Sequence, residues 1–439
     1  MSLTVETIRT EGLGDSTYVV VHDGVALVID PQRDIDRFEK VLAGHGAELR
    51  LVLETHLHND YVSGGRDLAR RLGAELVMPA AAAPAFRHTP AFHHEDIDLG
   101  PLVVRPIHTP GHTPEHTSYL LFVEGEPVAV FTGGSLLVGT AGRSDLLGQE
   151  RAESLARLQH GSVHRLARLP AGTGLYPTHG AGSFCTTSAS GSVISTIGDE
   201  VRANPVLAYE DEDAFVEGQL SGLVPFPSYY RLMGTLNLVG LPEPRLEAPL
   251  LDAVPEGATV VDARPMEQYA GGHLPGAINI ELRDSFGTWV GWLIERETPL
   301  VLVLDEGQDT EEAMRQLARI GYDGVVGILR PGPGHDTRMA VTDVEGLTLA
   351  VGTGAQVLDV RAPDEWERGV IPGAILGYLP DVAMTTPPEL DRDRAVWVVC
   401  ASGLRAMTAA SILEHRGFEP VVLVGSGATS VLARTSNSG

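Results

Sequence analysis

Histidines cluster in three short segments of the first half of the chain, each directly after an apolar run. The segments are Glu54–Tyr61 (ETHLHNDY), His108–His116 (HTPGHTPEH) and Thr178–Gly182 (THGAG). A single such histidine would usually be a hydrogen-bonded turn residue, but several converging imidazoles and a carboxylate at strand ends are what a Zn, Fe or Mn centre requires. The sequence therefore predicts a metal site, with the candidate ligands His56, His58, His112, Asp60 and His179.

The two cysteines are the second group of candidates for chemistry. Cys400 follows an apolar run that ends at Val399 and precedes a predicted helix. Backbone N–H groups at a helix N-terminus stabilise a thiolate, and a nearby cation attracts an anionic donor. We therefore predict a nucleophilic Cys400 and an assisting Arg405, with a sulfur cradle formed by Ala401, Ser402, Gly403 and Leu404. Cys185 follows the turn after His179, where a buried apolar role and a sulfur-carrying role both fit.

The first 240 residues alternate short β runs with loops and helical segments. Val25–Ile29 and Leu51–Leu53 are typical β runs, whereas Val62–Leu72 has helical apolar spacing. This alternation predicts a layered α/β domain with its chemistry at strand ends. The Pro-rich stretch from Val224 to Tyr230 marks its end, and we place the first domain at residues 1–240.

The second half of the chain contains an internal repeat. Thr259–Tyr269 is echoed by Gln356–Trp366, and His273–Ile278 is echoed by Val370–Ile375. A repeat of this length indicates two copies of one α/β domain, which we place at residues 245–340 and 345–432. The resemblance of the Cys400 loop to a known family, given below, implies a central parallel sheet in each copy. The first copy has Asp305 in place of the cysteine, so we predict that it is not catalytic.

Composition excludes several functional classes. The 439 residues are 43% hydrophobic, and 32 basic against 58 acidic residues give a formal charge of −26, which argues against nucleic-acid binding. Two cysteines cannot form a disulfide framework, and we find neither a signal peptide nor an apolar run long enough to span a membrane. We expect a cytoplasmic protein without a membrane partner.

The histidine motifs resemble those of the metallo-β-lactamase fold, an αββα sandwich. The family signature is T-H-x-H-x-D-H, then T-P-G-H-T, then F-T-G-D, then a late His before Gly. With Gly142–Leu146 and the segment that ends at Cys185, the sequence is most similar to the persulfide dioxygenase-like group. That resemblance implies one iron held by His56, His112 and an aspartate, oxidation of a low-molecular-weight thiol persulfide to sulfite by dioxygen, and a persulfide cradle that includes Arg143 and Cys185.

Two positions depart from the family pattern. Gly134 stands where F-T-G-D has its aspartate, and Tyr61 stands where the last histidine of T-H-x-H-x-D-H belongs. What remains is a site of His56, His58 and His112, with Asp60 and His179 nearby. The resemblance implies one metal ion, with Fe(II) favoured and Zn(II) as an alternative. Because of the two departures, a metal-free domain is the third alternative.

The loop of Cys400 resembles the C-x-x-G-x-R loop of rhodaneses, which implies that Cys400 accepts a sulfane sulfur from thiosulfate or a thiol persulfide. The predicted function is therefore a sulfur-metabolism enzyme with these small molecules as partners, and relatives suggest a homo-oligomer. Two alternatives stay open. One is a metal-dependent hydrolase of the glyoxalase II type, and the other is a catalytically dead first domain that serves as a scaffold for an active rhodanese.

Overall fold

The computed structural model describes residues 3–186 and 192–436, and the chain divides into two compact units. The first unit comprises Met1–Arg245 and Arg315–Gly321, and the second comprises Leu246–Met314 and Tyr322–Gly439. Among the described residues, no helix combines the length and the apolar character needed to cross a membrane.

The first sheet of the first unit has six strands in sequential order: β1 Thr4–Thr10, β2 Asp15–His22, β3 Val25–Ile29, β4 Glu48–Leu53, β5 Glu75–Pro79 and β6 Thr89–Ala91. Helices α1 (Asp36–His45) and α2 (Gly65–Leu72) cover its outer face through Phe38, Leu42 and Leu68. Each helix ends at a glycine with a left-handed backbone, Gly46 or Gly73, which stops the helix and returns the chain to the next strand.

The strands of the second half of this unit are β7 Ile97–Asp98, β8 Leu102–His108, β9 Thr117–Val123, β10 Glu126–Gly133, the small pair β11 Leu136–Leu137 and β12 Thr140–Ala141, then β13 Gly174–Pro177 and β14 Ser195–Thr196. Six of them form the second sheet, in the order β14-β13-β10-β9-β8-β7. The helices are α3 Gln149–Leu166, α4 Ile197–Ala203, α5 Glu212–Leu220 and α6 Tyr230–Val239, with a 3₁₀ turn at Pro205–Ala208.

Apolar layers explain how these elements stack. The two sheets enclose a core that includes Tyr18, Leu53 and Phe131, while α3 packs Val163 and Leu166 on the outer face of the second sheet. Alternate residues of each strand therefore face either the other sheet or a helix. The predicted αββα sandwich is confirmed.

The second unit contains two parallel sheets with the orders β16-β15-β17-β18 and β19-β23-β22-β20-β21. The first copy consists of β15 Thr259–Asp262, α7 Met266–Gly271, β16 Ile278–Asn279, α8 Phe286–Leu293, β17 Leu300–Val303, α9 Thr310–Arg319 and β18 Val325–Leu329. The second consists of β19 Ala340–Thr342, α10 Val344–Gly352, β20 Gln356–Asp359, α11 Pro363–Trp366, β21 Ile375–Leu376, α12 Leu379–Met384, β22 Val396–Val399, α13 Leu404–His415, β23 Pro420–Leu423 and α14 Ala428–Ser436. All their strand pairs are parallel, as predicted.

The two copies share one hydrophobic core. A single buried cluster includes Val301 and Val303 of the first copy and Val398, Met407 and Ala410 of the second. Polar contacts also join the copies: His273 Nε2 lies 2.8 Å from Glu414 Oε2, and the Asn279 N–H donates to Ser411 Oγ at 3.1 Å. This shared core explains why the repeat forms one compact unit.

Candidate functional site

Loops that follow strands β3, β4, β8, β10 and β13 meet at one end of the sandwich. Asp30, directly after β3, ties two of these loops together: its Oδ1 accepts the Thr55 N–H at 2.7 Å, and its Oδ2 accepts the Thr178 hydroxyl. Asp30 has a left-handed backbone, φ 55°, which turns its carboxylate into this end of the sandwich. The loops that carry His56 and His179 are thereby held side by side.

Three histidines from different loops point their Nε2 atoms towards a common point. The ligand atoms of His56, His112 and His179 all lie within 4.8 Å of one another, and His56 Nε2 lies 3.3 Å from His179 Nε2. All three side chains are buried, and His112 Nε2 has no hydrogen-bond partner among the described residues. A buried nitrogen without a partner costs free energy unless something else binds it, so this arrangement suits a metal ion.

The opposite nitrogen of each ring fixes its orientation. His112 Nδ1–H donates to the Arg143 carbonyl at 2.8 Å, and His179 Nδ1 lies 2.8 Å from Asp15 Oδ1. The Thr55 hydroxyl donates to Asp30, so it accepts from His56 Nδ1–H at 2.8 Å. With Nδ1 engaged in this way, Nε2 is the nitrogen available to a metal, as in many metal-binding histidines.

His58 turns its Nε2 away from this group. That nitrogen lies 3.2 Å from Glu54 Oε2, 3.3 Å from Asp30 Oδ1 and 3.0 Å from the hydroxyl of Tyr61. Burial lowers the pKa of His58, but the two carboxylates outweigh burial and raise it to about 10. Tyr61 stacks on the ring at 4.2 Å between centroids, so the residue that replaces the expected histidine covers His58.

His58 and Asp60 nevertheless belong to further groups with metal-ligand spacing. Asp30, His56 and His58 form one, and His58, Asp60 and His179 form another. His58 Nδ1 and Asp60 Oδ1 have no hydrogen-bond partner among the described residues. The five predicted ligands thus lie together, but the structure groups His56 and His112 with His179 instead of His58.

Cys185 lies beside the carboxylates that flank His179. Its thiol donates to Asp60 Oδ2 at 3.4 Å, and that oxygen lies 3.3 Å from His179 Nδ1. Burial, followed by Asp60 and Asp15, raises the pKa of the thiol, so Cys185 stays protonated in this environment. Burial lowers the pKa of His179, but Asp60 and Asp15 raise it to about 10. A cation that binds His179 Nε2 must therefore displace a proton.

Arg143 is fully buried and already paired. Its Nε and Nη2 donate to the two oxygens of Asp145, each at 2.7 Å, and its Nη1 donates to the carbonyls of Phe184 and Val224. Its own carbonyl accepts the proton of His112 Nδ1, and its N–H donates to the carbonyl of Cys185. The backbone of Arg143 therefore connects the loop of His112 with the loop of Cys185. Its guanidinium is already hydrogen-bonded to Asp145 and to the two carbonyls.

Cys400 directly follows strand β22 and begins the second candidate site. Ala401 and Ser402 are exposed, and Gly403 precedes α13 with a left-handed φ of 100°. This conformation points the Gly403 N–H at Cys400 Sγ, 3.1 Å away. Leu404 and Arg405 begin the helix, so the predicted cradle is a strand-to-helix turn around the sulfur.

Arg405 reaches the same site but is paired with Glu365 of α11. Its Nη2 donates to Glu365 Oε1 at 2.9 Å, and its Nη1 donates to the other oxygen. Burial lowers the pKa of Arg405, yet Glu365 and Cys400 together raise it. The assisting role of Arg405 remains a prediction.

The corresponding loop of the first copy is closed by its own side chains. Gln308 Oε1 accepts the Asp305 N–H at 2.9 Å, and Gln308 Nε2 donates to the Ala263 carbonyl at 2.8 Å. The side chain of Gln308 thus bridges the loop that precedes α9. The buried pairs Asp262–Arg264 and Asp359–Arg361 have the same geometry, with Nη2–Oδ2 distances of 2.6 Å in both.

Sequence reasoning missed four residues that shape these sites. They are Asp15, Asp30, Glu54 and Glu365. Asp30 and Glu54 directly follow the apolar runs Val25–Ile29 and Leu51–Leu53, which was a usable signal for a strand-end position. Glu365 lies in the repeated segment that contributes to the rhodanese resemblance, but nothing there indicated Arg405 as its partner, and Asp15 gave no signal of its own.

Comparison with known proteins agrees with this architecture. Residues 10–179 match the metallo-beta-lactamase superfamily, and residues 247–332 and 345–433 match the rhodanese-like domain. The fold and the histidine-lined loops thus define an α/β protein of the metallo-beta-lactamase type, with a duplicated α/β unit later in the sequence. The chain is a metallo-beta-lactamase domain followed by tandem rhodanese-like domains.

Individual relatives cover different shares of the chain. A crystal structure of a metallo-beta-lactamase from Staphylococcus aureus overlaps 76% of this chain and 100% of its own, with 29% identity and a TM-score of 0.70. A probable metallo-hydrolase of Burkholderia pseudomallei is 32% identical over 37% of this chain and 62% of its own length. A hydroxyacylglutathione hydrolase of Acidiphilium cryptum is 40% identical over 26% of this chain and 47% of its own. The chain thus spans less than two thirds of these curated relatives.

Proposed function

We propose that the chain is a sulfur-metabolism enzyme that transfers a sulfane sulfur through Cys400. The observation that carries this proposal is the hydrogen bond from Gly403 N–H to Cys400 Sγ, 3.1 Å long, at the start of α13. A thiolate held in this way attacks the outer sulfur of a thiol persulfide or of thiosulfate. A bond forms between that sulfur and Sγ, and the donor leaves as a thiolate or as sulfite. An acceptor nucleophile then removes the outer sulfur and restores Cys400.

Thiocyanate formation from thiosulfate and cyanide tests this proposal. We expect Cys400→Ser to abolish it. Cys185→Ser is the matched control, because it removes the other thiol of the chain, which belongs to the first unit. Sulfur transfer that survives in Cys400→Ser would rule out the assignment.

We further propose that the histidine cluster holds one metal ion through His56, His112 and His179, with His58 and Asp60 beside it. A bound Fe(II) would supply the redox chemistry by which dioxygen oxidises a thiol persulfide to sulfite. The chain's own residues orient the ligands: Thr55, the Arg143 carbonyl and Asp15 each engage one Nδ1 atom. Cys185 lies within 3.4 Å of Asp60, where it lines the position of a persulfide.

A second candidate, metal-dependent hydrolysis, is favoured by the relatives named as hydroxyacylglutathione hydrolases. Gly134 and Tyr61 count against it, because they remove a carboxylate and a histidine that a two-metal hydrolase would use. Metal analysis with oxygen uptake on a thiol persulfide separates the candidates. Iron with persulfide-dependent oxygen uptake supports the dioxygenase, and zinc with oxygen-independent ester cleavage supports the hydrolase. A metal-free protein with intact sulfur transfer supports a scaffold.

A further inference from the structure

The cation at the Cys400 site is neutralised by a neighbouring carboxylate. Arg405 is the one basic residue in the loop from Cys400 to Arg405, and both its terminal nitrogens donate to Glu365. The carboxylate is itself held in place, because its Oε2 accepts the Ala362 N–H at 3.0 Å. The side chains are only 19% and 21% exposed, so water screens this pair less than a surface pair.

The next cation in the same domain is also occupied. Arg361 donates from Nε and Nη2 to the buried carboxylate of Asp359, and its Nη2 also donates to the Gly369 carbonyl. The two arginines and the two carboxylates therefore cancel in charge. Around the sulfur, the loop itself contributes the Gly403 N–H, which donates to Cys400 Sγ, and the uncharged side chains of Ala401 and Ser402.

The two classes of sulfane-sulfur donor differ in charge. Thiosulfate carries two negative charges, whereas a thiol persulfide carries at most one on its sulfur–sulfur group. With thiosulfate, a bond forms between Cys400 Sγ and the outer sulfur, the sulfur–sulfur bond of the donor breaks, and sulfite leaves with the bonding electron pair. With a persulfide the same displacement releases a thiolate. A neutral cradle in a chain of net charge −26 gives the dianion little compensation.

We propose that Glu365 sets the donor preference of Cys400, so that this rhodanese-like domain takes its sulfur from a thiol persulfide in preference to thiosulfate. This inference rests on the proposed sulfur-transfer function of Cys400. Glu365 is a positioning residue that holds Arg405 in place. Its carboxylate also neutralises the positive charge of Arg405, which a dianionic donor would need.

The test compares rates of Cys400 persulfidation in the full-length protein with 2-mercaptoethanol persulfide, whose only charge is on its sulfur–sulfur group, and with thiosulfate, read by mass spectrometry. We expect the wild type to react faster with the persulfide. Glu365→Gln frees the charge of Arg405 and should raise the thiosulfate rate relative to the persulfide rate by about tenfold, since a unit charge a few ångströms away acts strongly near a protein surface. Glu365→Asp keeps the charge and should keep the preference. The exposed neighbour Glu367→Gln is the matched control and should leave the ratio unchanged.

Salt dependence of the wild type gives a second readout that needs no variant. A neutral cradle in an acidic protein predicts a thiosulfate rate that does not fall as salt is added, whereas an uncompensated Arg405 predicts a falling rate. A wild type that prefers thiosulfate, a falling salt dependence, or a Glu365→Gln protein with both rates changed equally would overturn the inference. If neither donor adds sulfur to Cys400 of the wild type, the proposed function itself fails, and the inference fails with it.

Discussion

The ring of His112 lies where a side chain at position 134 would begin. A Cβ built on Gly134 would be 2.2 Å from His112 Cδ2, 2.6 Å from Nε2 and 2.7 Å from Cγ, so the imidazole would have to move to admit a side chain there. Gly134 stands where the family pattern has an aspartate ligand. In this chain the imidazole of His112 therefore fills the space that the carboxylate would need. The observed position of His112 depends on a residue without a side chain at position 134.

This arrangement predicts that the family aspartate cannot simply be restored. We expect Gly134→Asp to reduce the metal content and to lower the free energy of unfolding by about 1–3 kcal/mol, the usual cost of overpacking. Gly134→Ala adds the same Cβ without a carboxylate and should behave similarly. Elemental analysis and denaturant titration measure the two effects. A Gly134→Asp protein that binds more metal than the wild type would contradict this account.

Single substitutions distinguish the two ligand sets. We expect His179→Ala to reduce metal affinity at least tenfold, because its Nε2 lies 3.3 Å from that of His56. His58→Ala should reduce it less, since His58 Nε2 faces Glu54 and Asp30. Titration with Co(II), followed by its absorption spectrum, reports both affinities. The reverse order of effects would favour the set His56, His58 and His112.

The first rhodanese-like copy should stay inactive even when it is given a cysteine. In Asp305→Cys the side chain of Gln308 still occupies the loop, and Thr310 stands where the second copy has Arg405. We therefore expect the double variant Asp305→Cys/Cys400→Ser to form no thiocyanate from thiosulfate and cyanide. Activity at the level of the wild type would show that the loop of the first copy is already competent.

Arg143 should contribute to stability more than its place in a functional motif suggests. Arg143→Leu leaves Asp145 buried without its partner, so we expect a loss of about 3–5 kcal/mol in the free energy of unfolding. The exposed Arg151→Leu is the control and should change stability by less than about 0.5 kcal/mol. Urea unfolding measures both. Equal stabilities would mean that the buried pair gives no net stabilisation.

The pair Glu365–Arg405 predicts a pH dependence. Burial raises the pKa of Glu365, but Arg405 and the Ala362 N–H outweigh burial and hold it below the ordinary value of a glutamate. A carboxyl group whose pKa is lower in the folded state stabilises the protein above the unfolded value and loses that contribution as the pH falls through the folded value. Unfolding titrations from pH 6 to pH 3 should therefore show a smaller decline for Glu365→Gln than for the wild type. Parallel curves would contradict the prediction.

The sequence was sufficient for the layered α/β folds. Apolar runs that alternate with loops and helical segments predicted a layered first domain, and the resemblance of its histidine motifs predicted the αββα order. The repeat of Thr259–Tyr269 at Gln356–Trp366 predicted a duplicated α/β domain, and the rhodanese resemblance predicted its parallel sheets. Both signals are local in sequence, or recur at a fixed spacing, so they could be read without knowing which loops meet.

The detailed grouping of ligands could not be read in the same way. His56 and His58 are two residues apart, yet one joins His112 and His179 while the other turns to Glu54 and Asp30. That choice depends on carboxylates that come from other strands, and on Tyr61 stacking over His58. Glu365 was likewise hidden, because its partner Arg405 lies 40 residues further along the chain.

The hydrophobic cluster shared by the two rhodanese-like copies has a consequence for the independence of the second copy. Because the first copy supplies part of the second copy's interior, its apolar strands are needed for packing even though its loop has Asp305 in place of a cysteine. The second copy expressed alone would therefore have an exposed apolar face and would be prone to aggregation.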